Sequence, residues 1–451
     1  MPVKKLRTKK TNKFLEFFNP KTLRGGIALF MLVFVIAGAA FLIYRSFAGT
    51  GGAGAFHTCW VKESDKTLWC WGDNSKGQLG QGNTTNLLVP TQVKNIDSVA
   101  QVSSGGNHTC ARKIDNTLWC WGENRFGQLG VGDTEISTCG GIPCAKGPRQ
   151  VLDPTSTTSD AKPFESTSWV SAGNYHTCAR KTDGSAWCWG SNYRGQLGIG
   201  RDSSGKQYGD QKLPKKLAIT DVLGVYAGGN HTCATINTTA DNTPSDTTVS
   251  CWGSNNNGQL GIGSEATTTC GTGLYMGPCA LSPRTVPGAT AGSKFDNTRS
   301  VSAGALHTCA VKNGGALWCW GSNQYGQLGI GNTTNSNTPI KVNIDNAYQV
   351  SSGQYHTCAR KDDANSKVAN LWCWGYNASG QLGRGNRTNA WRPTQVQGGF
   401  IAKAISAGAW STCASKFDYS LWCWGDNSKG QLGIGNLIDQ LLPKELDFSW
   451  K

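Results

Sequence analysis

His108-Thr109-Cys110-Ala111, then Leu118-Trp119-Cys120-Trp121-Gly122, then Gly127-Gln128-Leu129-Gly130 decide how this chain folds, because close copies of all three recur in that order seven times. The Gly-Gln-Leu-Gly copies begin at Gly77, Gly127, Gly195, Gly258, Gly326, Gly380 and Gly430, a period of about 50 to about 70 residues. A period of that size, built from short strand-like runs and glycine turns, specifies a closed repeat array and not one conventional core. At 451 residues the chain has room for two or three ordinary domains, but the repeats claim nearly all of it for one. Glycine supplies 59 residues and only 16% are charged, as many short strands joined by tight turns require.

Trp121-Gly122, Asn124, the Gly127–Gly130 turn, Pro148 and His176 recur in register from about residue 56 to the C-terminus. In these positions the repeat resembles that of the regulator of chromosome condensation family. The resemblance implies an all-β, seven-bladed β-propeller of four-stranded antiparallel blades. The chain departs from the familiar nuclear members in carrying a pair of cysteines in every repeat.

Ahead of the repeats, residues 1–24 hold eight Lys or Arg against the single acid Glu16, so about half of the formal charge of +15 is local. The remainder, spread over more than 400 residues, is too dilute for a nucleic-acid footprint. Gly25 to Tyr44 is an uncharged apolar run of 20 residues, enough to cross roughly 30 Å of hydrocarbon as a helix. The positive-inside bias keeps the basic segment 1–24 in the cytoplasm and exports the chain beyond residue 44. The expected organisation is therefore a transmembrane helix over 25–44, a short juxtamembrane segment over 45–55 that contributes to the first blade, and the propeller over 56–451. The alternative is secretion after cleavage near Ala48, where Ser46-Phe47-Ala48 offers small residues.

Of 18 cysteines, 14 belong to the repeats. Read as hairpins, the repeats place Cys59 opposite Cys70, Cys110 opposite Cys120, Cys178 opposite Cys188, Cys233 opposite Cys251, Cys309 opposite Cys319, Cys358 opposite Cys373 and Cys413 opposite Cys423. The other four, Cys139 with Cys144 and Cys270 with Cys279, read as loop staples. An even count with a local partner for each predicts nine disulfides and an oxidising compartment. Zinc is the weaker reading, since strand-opposed pairs lack knuckle geometry and four ligands would have to converge.

The period of two places Leu118 and Cys120 on one side of their strand and Trp119 and Trp121 on the other. Thirteen such tryptophans suggest either a sugar-binding array or, better, aromatic packing between adjacent blades. The six histidines, His57, His108, His176, His231, His307 and His356, share one repeat position, with Ser411 in the seventh copy. Spread around a ring they cannot converge on a metal or form a catalytic pair, and the expectation is a local hydrogen bond at a strand start. Sequons such as Asn107-His108-Thr109 fall inside the repeat motif and say little about glycosylation.

Loop length varies in one place. Between Gly-Gln-Leu-Gly-x-Gly and the next Pro-x-x-Val strand, repeats one, five, six and seven have seven residues, whereas repeats two, three and four have 15, 13 and 19: Asp133–Gly147, Arg201–Leu213 and Ser264–Ser282. These repeats are consecutive, so the enlarged loops are expected to form one continuous raised surface. Their charges nearly cancel, which makes polyanionic nucleic acid a poor candidate partner. Tyr208, Leu274, Tyr275 and Met276 are the candidate binding anchors.

No P-loop, dinucleotide fingerprint, nucleophile elbow or unpaired cysteine is present, and no cofactor is implied. Family members include guanine-nucleotide exchange factors as well as inhibitors and ligand-binding scaffolds, but an exported propeller would not meet a cytosolic GTPase. The sequence therefore points to a monomeric, membrane-anchored, extracytoplasmic protein-binding scaffold and not to an enzyme. A glycan-binding surface protein is the alternative. Repeat alignment assigns the innermost strand of blade one to about Phe47–Gly52, a glycine-rich stretch, because the C-terminal tail is too short to supply it.

Overall fold

Each repeat folds as one antiparallel sheet, and the seven sheets succeed one another in chain order as the blades of a propeller. A computed structural model of the chain describes residues 51–132, 137–157, 160–239, 247–264, 267–271, 276–290, 292–362 and 369–447. The expected basic segment 1–24, the apolar run 25–44 and residues 45–50 lie outside the described residues. Among the described residues no helix is long and apolar enough to cross a membrane. The blades span 51–92, 99–150, 167–216, 222–285, 298–341, 347–395 and 404–445.

Within a blade the chain steps from the ring axis outward. The His-Thr-Cys segment is the second strand, Leu-Trp-Cys-Trp-Gly the third and the Pro-containing segment the outer one. In blade three Cys178 stands directly opposite Cys188, with their Cα atoms 4.1 Å apart. The same register links Cys59–Cys70, Cys110–Cys120, Cys233–Cys251, Cys309–Cys319, Cys358–Cys373 and Cys413–Cys423 as disulfides. Cys139–Cys144 and Cys270–Cys279 bridge at a wider 5.8 Å, and no cysteine is free. A bridge across a ten-residue loop adds about 2–3 kcal/mol by restricting the unfolded chain.

Third and outer strands share one irregularity in every blade. In blade two Cys120 faces Arg149 but Gly122 faces Ala145, so the outer strand carries two extra residues there. Pro148 lies inside this bulge, where its missing N–H breaks no ladder bond. Gly122 takes φ +103°, and a Cβ on it would sit 2.5 Å from the Asn107 carbonyl oxygen. Glycine is thus required at this position by its positive φ and by the close approach of the second strand.

Between blades the packing is aromatic, but only in part as expected. Trp71, Trp121, Trp189, Trp252, Trp320, Trp374 and Trp424 are fully enclosed. Each gives roughly 4–6 kcal/mol of gross burial energy. Trp69, Trp119, Trp187, Trp318, Trp372 and Trp422, expected to be buried as well, are only half-buried. They sit nearer the hairpin turns, where lysine ammonium groups cover some of the rings, as Lys416 does 3.8 Å from the centre of Trp422.

The described part of blade one begins at residue 51. Its inner strand is Gly51–Ala53, paired with Thr58–Trp60. Its described part is three residues, and the inner strands of the other blades run to four to six. The strand overlaps the end of the expected Phe47–Gly52, and residues 47–50 lie outside the described residues. Glycine is required at its start, because a Cβ on Gly51 would lie 2.0 Å from the Trp60 ring. Trp60, where five of the other blades have alanine and blade seven Ala414, fills the space a side chain would occupy and is 6% exposed. The outer strand of blade seven is Gln440–Glu445, so the tail does not supply the inner strand of blade one. Among the described residues the ring closes through side-chain contacts and turn bonds such as Ala409 N to Gly54 O at 3.1 Å and Gly435 N to Leu88 O at 2.9 Å.

Candidate functional site

Second strands start, and third strands end, at the same edge of each blade, as the pairing of His57 with Gly72 shows. The turns from inner to second strand and the long connections from third to outer strand therefore emerge together on one face, the upper face. The described candidate binding residues, Tyr208 and Met276, belong to these connections.

The histidines anchor this face across the seams. His57 Nε2 lies 2.9 Å from Thr109 Oγ1 of the next blade. The contact recurs at 2.8–2.9 Å for His108–Thr177, His176–Thr232, His231–Thr308, His307–Thr357 and His356–Thr412. Thr109 donates its one hydroxyl proton to the Gln78 carbonyl of the preceding blade at 2.8 Å, and the other threonines repeat this to Gln128, Gln196, Gln259, Gln327 and Gln381. The threonine oxygen must then accept, which fixes the imidazoles as Nε2–H tautomers. The expected local bond at the strand start is thus corrected to a bond between blades, since the strand start abuts the seam. Burial lowers all six histidines from 6.5 to about 3, so they are neutral at physiological pH.

Three residues before each histidine stands a glycine that lines the ring axis. A Cβ on Gly304 would sit 2.6 Å from the carbonyl oxygen of Gly353 in the next blade and 2.9 Å from His307 Nδ1. These glycines carry a circuit of main-chain bonds, among them Ala55 N to Gly105 O at 3.3 Å, Gly229 N to Gly304 O at 3.0 Å and Ala409 N to Gly54 O at 3.1 Å. The circuit surrounds a central channel of about 280 Å³. Asn107, Asn174, Gln354, Phe56 and Tyr175 stand among its lining residues, none of which is charged.

Blades two to four carry the insertions. In blades two and four these form hairpins that add a fifth strand, Ser137–Cys139 or Thr268–Cys270, outside the outer strand. Two of the three expected loops are therefore sheet extensions locked by Cys139–Cys144 and Cys270–Cys279. In blade three a turn around Asp202 is fixed by bonds from the Ser204 and Lys206 amides at 2.9 and 3.0 Å. Its far end returns to the repeat pattern, with Asp210 accepting from the Asn192 amide at 2.7 Å as Asn86 does for Asn74 at 2.8 Å. Burial raises the Asp210 carboxyl above its ordinary range. Arg201 Nη2 reaches Thr268 Oγ1 at 3.2 Å, tying the blade-three insertion to the blade-four hairpin. Of the anchors, Met276 is 57% exposed. Tyr208 is half-buried, its carbonyl bonded to Asn192 Nδ2 at 2.7 Å and its ring 5.5 Å from Lys215 Nζ. Leu274 and Tyr275 lie outside the described residues.

Blades five to seven carry no insertion but a cluster of half-exposed rings, Tyr325, Tyr355, Tyr376 and Trp410. Tyr325 stands 5.1 Å from Tyr355 and 4.8 Å from Tyr376, and Trp410 stands 5.3 Å from Tyr355 and 5.4 Å from Tyr376. Sequence reasoning passed over this cluster. Its signal was the position just before each histidine, which holds Phe56, Tyr175, Tyr355 and Trp410 in four of the seven repeats. Among the described residues no group of three or more His, Cys, Asp or Glu is placed to hold a metal ion.

The model of the regulator of chromosome condensation (RCC1) repeat matches residues 65–112, 115–180, 248–311, 314–360, 369–415 and 419–449. Similar proteins include the ultraviolet-B receptor UVR8 of Arabidopsis thaliana, 28% identical over 76% of this chain and 69% of that protein. The probable E3 ubiquitin-protein ligase HERC4 of Homo sapiens is 30% identical over 77% of this chain, which spans only 29% of the ligase. In fold the chain is similar to Prp20p of Saccharomyces cerevisiae, with a TM-score of 0.67 at 18% identity over 86% of this chain and 87% of that one. Human WBSCR16 gives the same TM-score at 21% identity, over 86% of this chain and 94% of that one.

Proposed function

Since this chain belongs to the regulator of chromosome condensation repeat family, we propose that it is a non-enzymatic scaffold that binds a protein partner through the insertions of blades two to four. One observation carries the reading. The three insertions occupy adjacent blades on one face, two are stiffened by their own disulfides, and Arg201 joins the third to its neighbour. A stiff, near-neutral surface loses little entropy on binding and suits a protein better than a polyanion. Met276 and Tyr208 supply anchors of the kind that dominate protein interfaces. The ligase activity named for the human relative is not carried over, because this chain spans so little of that protein.

The proposal places the propeller outside the cytoplasm, held by residues 25–44 with 1–24 inside. It is supported by nine disulfides, which persist in oxidising compartments, and by the basic flank of the apolar run. Affinity capture from extracellular material tests the binding surface. The full chain is expected to retain a partner that is lost when residues 133–147, 201–213 and 264–282 are each cut to the length found in the other blades. Capture of the same partner by the shortened, folded chain would refute the assignment.

A further inference from the structure

We propose that the mouth of the central channel and the aromatic cluster of blades five to seven together bind the end of a neutral oligosaccharide. The two parts are continuous, because Gln354 and Ala409, which line the channel, directly precede Tyr355 and Trp410 in the chain. The channel volume, about 280 Å³, lies near the lower end of small-ligand sites, roughly 300–1,000 Å³.

The chemistry of the lining selects the ligand class. No lining residue is charged, so a phosphate, sulfate or carboxylate would be desolvated without a counter-charge. What the mouth offers instead is neutral hydrogen bonding from Asn174, Gln354 and the Tyr175 phenol. Asn174 is exposed. Asn107 is already engaged, its amide donating to Glu123 Oε2 at 3.0 Å. Beside these groups lies an unbroken aromatic surface. Its ring centroids stand 4.8–6.4 Å apart among Tyr325, Tyr355, Tyr376 and Trp410, edge to face or tilted, so the rings pack on one another and do not surround a space for a cation. The cluster is therefore not a cage for a quaternary ammonium group. A neutral sugar matches both halves: its C–H faces stack on half-exposed rings while its hydroxyls exchange bonds with amides. None of its residues belongs to an insertion, although Asn174 and Tyr175 sit on blade three, so shortening the insertions tests the two surfaces separately.

Saturation-transfer NMR on the full chain tests it, with cello-, malto-, chito- and manno-tetraose as neutral probes and an oligouronate as the charged one. Saturation of at least one neutral probe and none of the uronate is expected. Asn174→Ala and Trp410→Ala are each expected to weaken that binding about tenfold, by loss of one hydrogen bond or one stacking ring. Shortening the three insertions is expected to leave it unchanged. Absence of transfer to every neutral probe, equal binding of the uronate, displacement of the sugar only by a proline-rich peptide, or unaltered affinity in both variants would overturn the proposal. If Trp410→Ala fails to fold, Asn174→Ala decides alone, since that side chain lies outside the core.

Discussion

Six seams of the propeller and the seventh, where blade seven meets blade one, are built differently. At the six, an imidazole bridges to the next blade's threonine. At the seventh, Ser411 replaces the histidine, although Thr58 and Trp71 still bond the Gln431 carbonyl at 2.9 Å. The apolar cluster at this seam is small, confined to residues such as Trp60, Trp71, Leu421, Leu432 and Leu446, whereas the three large clusters each run through three blades. In compensation, Lys403 of blade seven, 7% exposed, holds both carboxylate oxygens of Glu63 at 2.8–2.9 Å. Among the described residues no strand is shared across the closing seam, and an ion pair stands there in place of an uncharged, pH-sensitive bond.

Acid is expected to produce the largest effect, and to act on the six seams. The folded histidines, lowered to about 3, bind no proton at pH 5, while the unfolded chain binds one at each. Stability is therefore full above the unfolded value of 6.5 and falls as pH drops toward 3. The loss at pH 5 is roughly 2 kcal/mol per histidine and on the order of 10 kcal/mol for all six. Guanidinium midpoints at pH 7 and pH 5, measured without reductant, read it out; equal midpoints would contradict neutral, seam-buried imidazoles.

Next comes an exchange of the two seam types. His307→Ser gives an inner seam the composition of the closing one, removes a buried hydrogen bond and leaves a void, and is expected to cost about 2–4 kcal/mol. Ser411→His is expected to gain about 1 kcal/mol at pH 7 by donating to Thr58, and to lose that gain at pH 5. Denaturation of the two variants side by side would expose a purely steric role for the imidazole if Ser411→His destabilises at both pH values.

The smallest effect concerns the compensating ion pair. Lys403→Met is expected to cost about 1–2 kcal/mol, since Glu63 is left only partly solvated. Hydrogen exchange should quicken in blades one and seven and remain unchanged in blades three to five. Uniform acceleration around the ring would mean that the closing seam is not the local weak point.

Much of this was legible in the residues. The repeat period, the opposed cysteines and the Trp-Gly and Pro positions are local signals, because a hairpin register and a bulge are settled within a few residues of chain. Met276 could likewise be picked out, as an apolar residue in a long polar loop. The half-burial of six tryptophans, the bond partner of each histidine and the cluster of Tyr325, Tyr355, Tyr376 and Trp410 were not legible. The histidine partners and the aromatic cluster depend on residues roughly 20 to 60 or more positions apart brought together by blade packing.

By itself, then, the sequence determined seven antiparallel blades, nine cysteine pairs within hairpins and three consecutive insertions, since each is encoded inside a single repeat. Tertiary structure alone decided that two insertions become added strands, that the histidines act between blades, and that the Trp60 ring fills the space over Gly51. The physical reason is that every repeat specifies its own sheet, whereas the seam, the channel and the upper face exist only where two or more repeats meet.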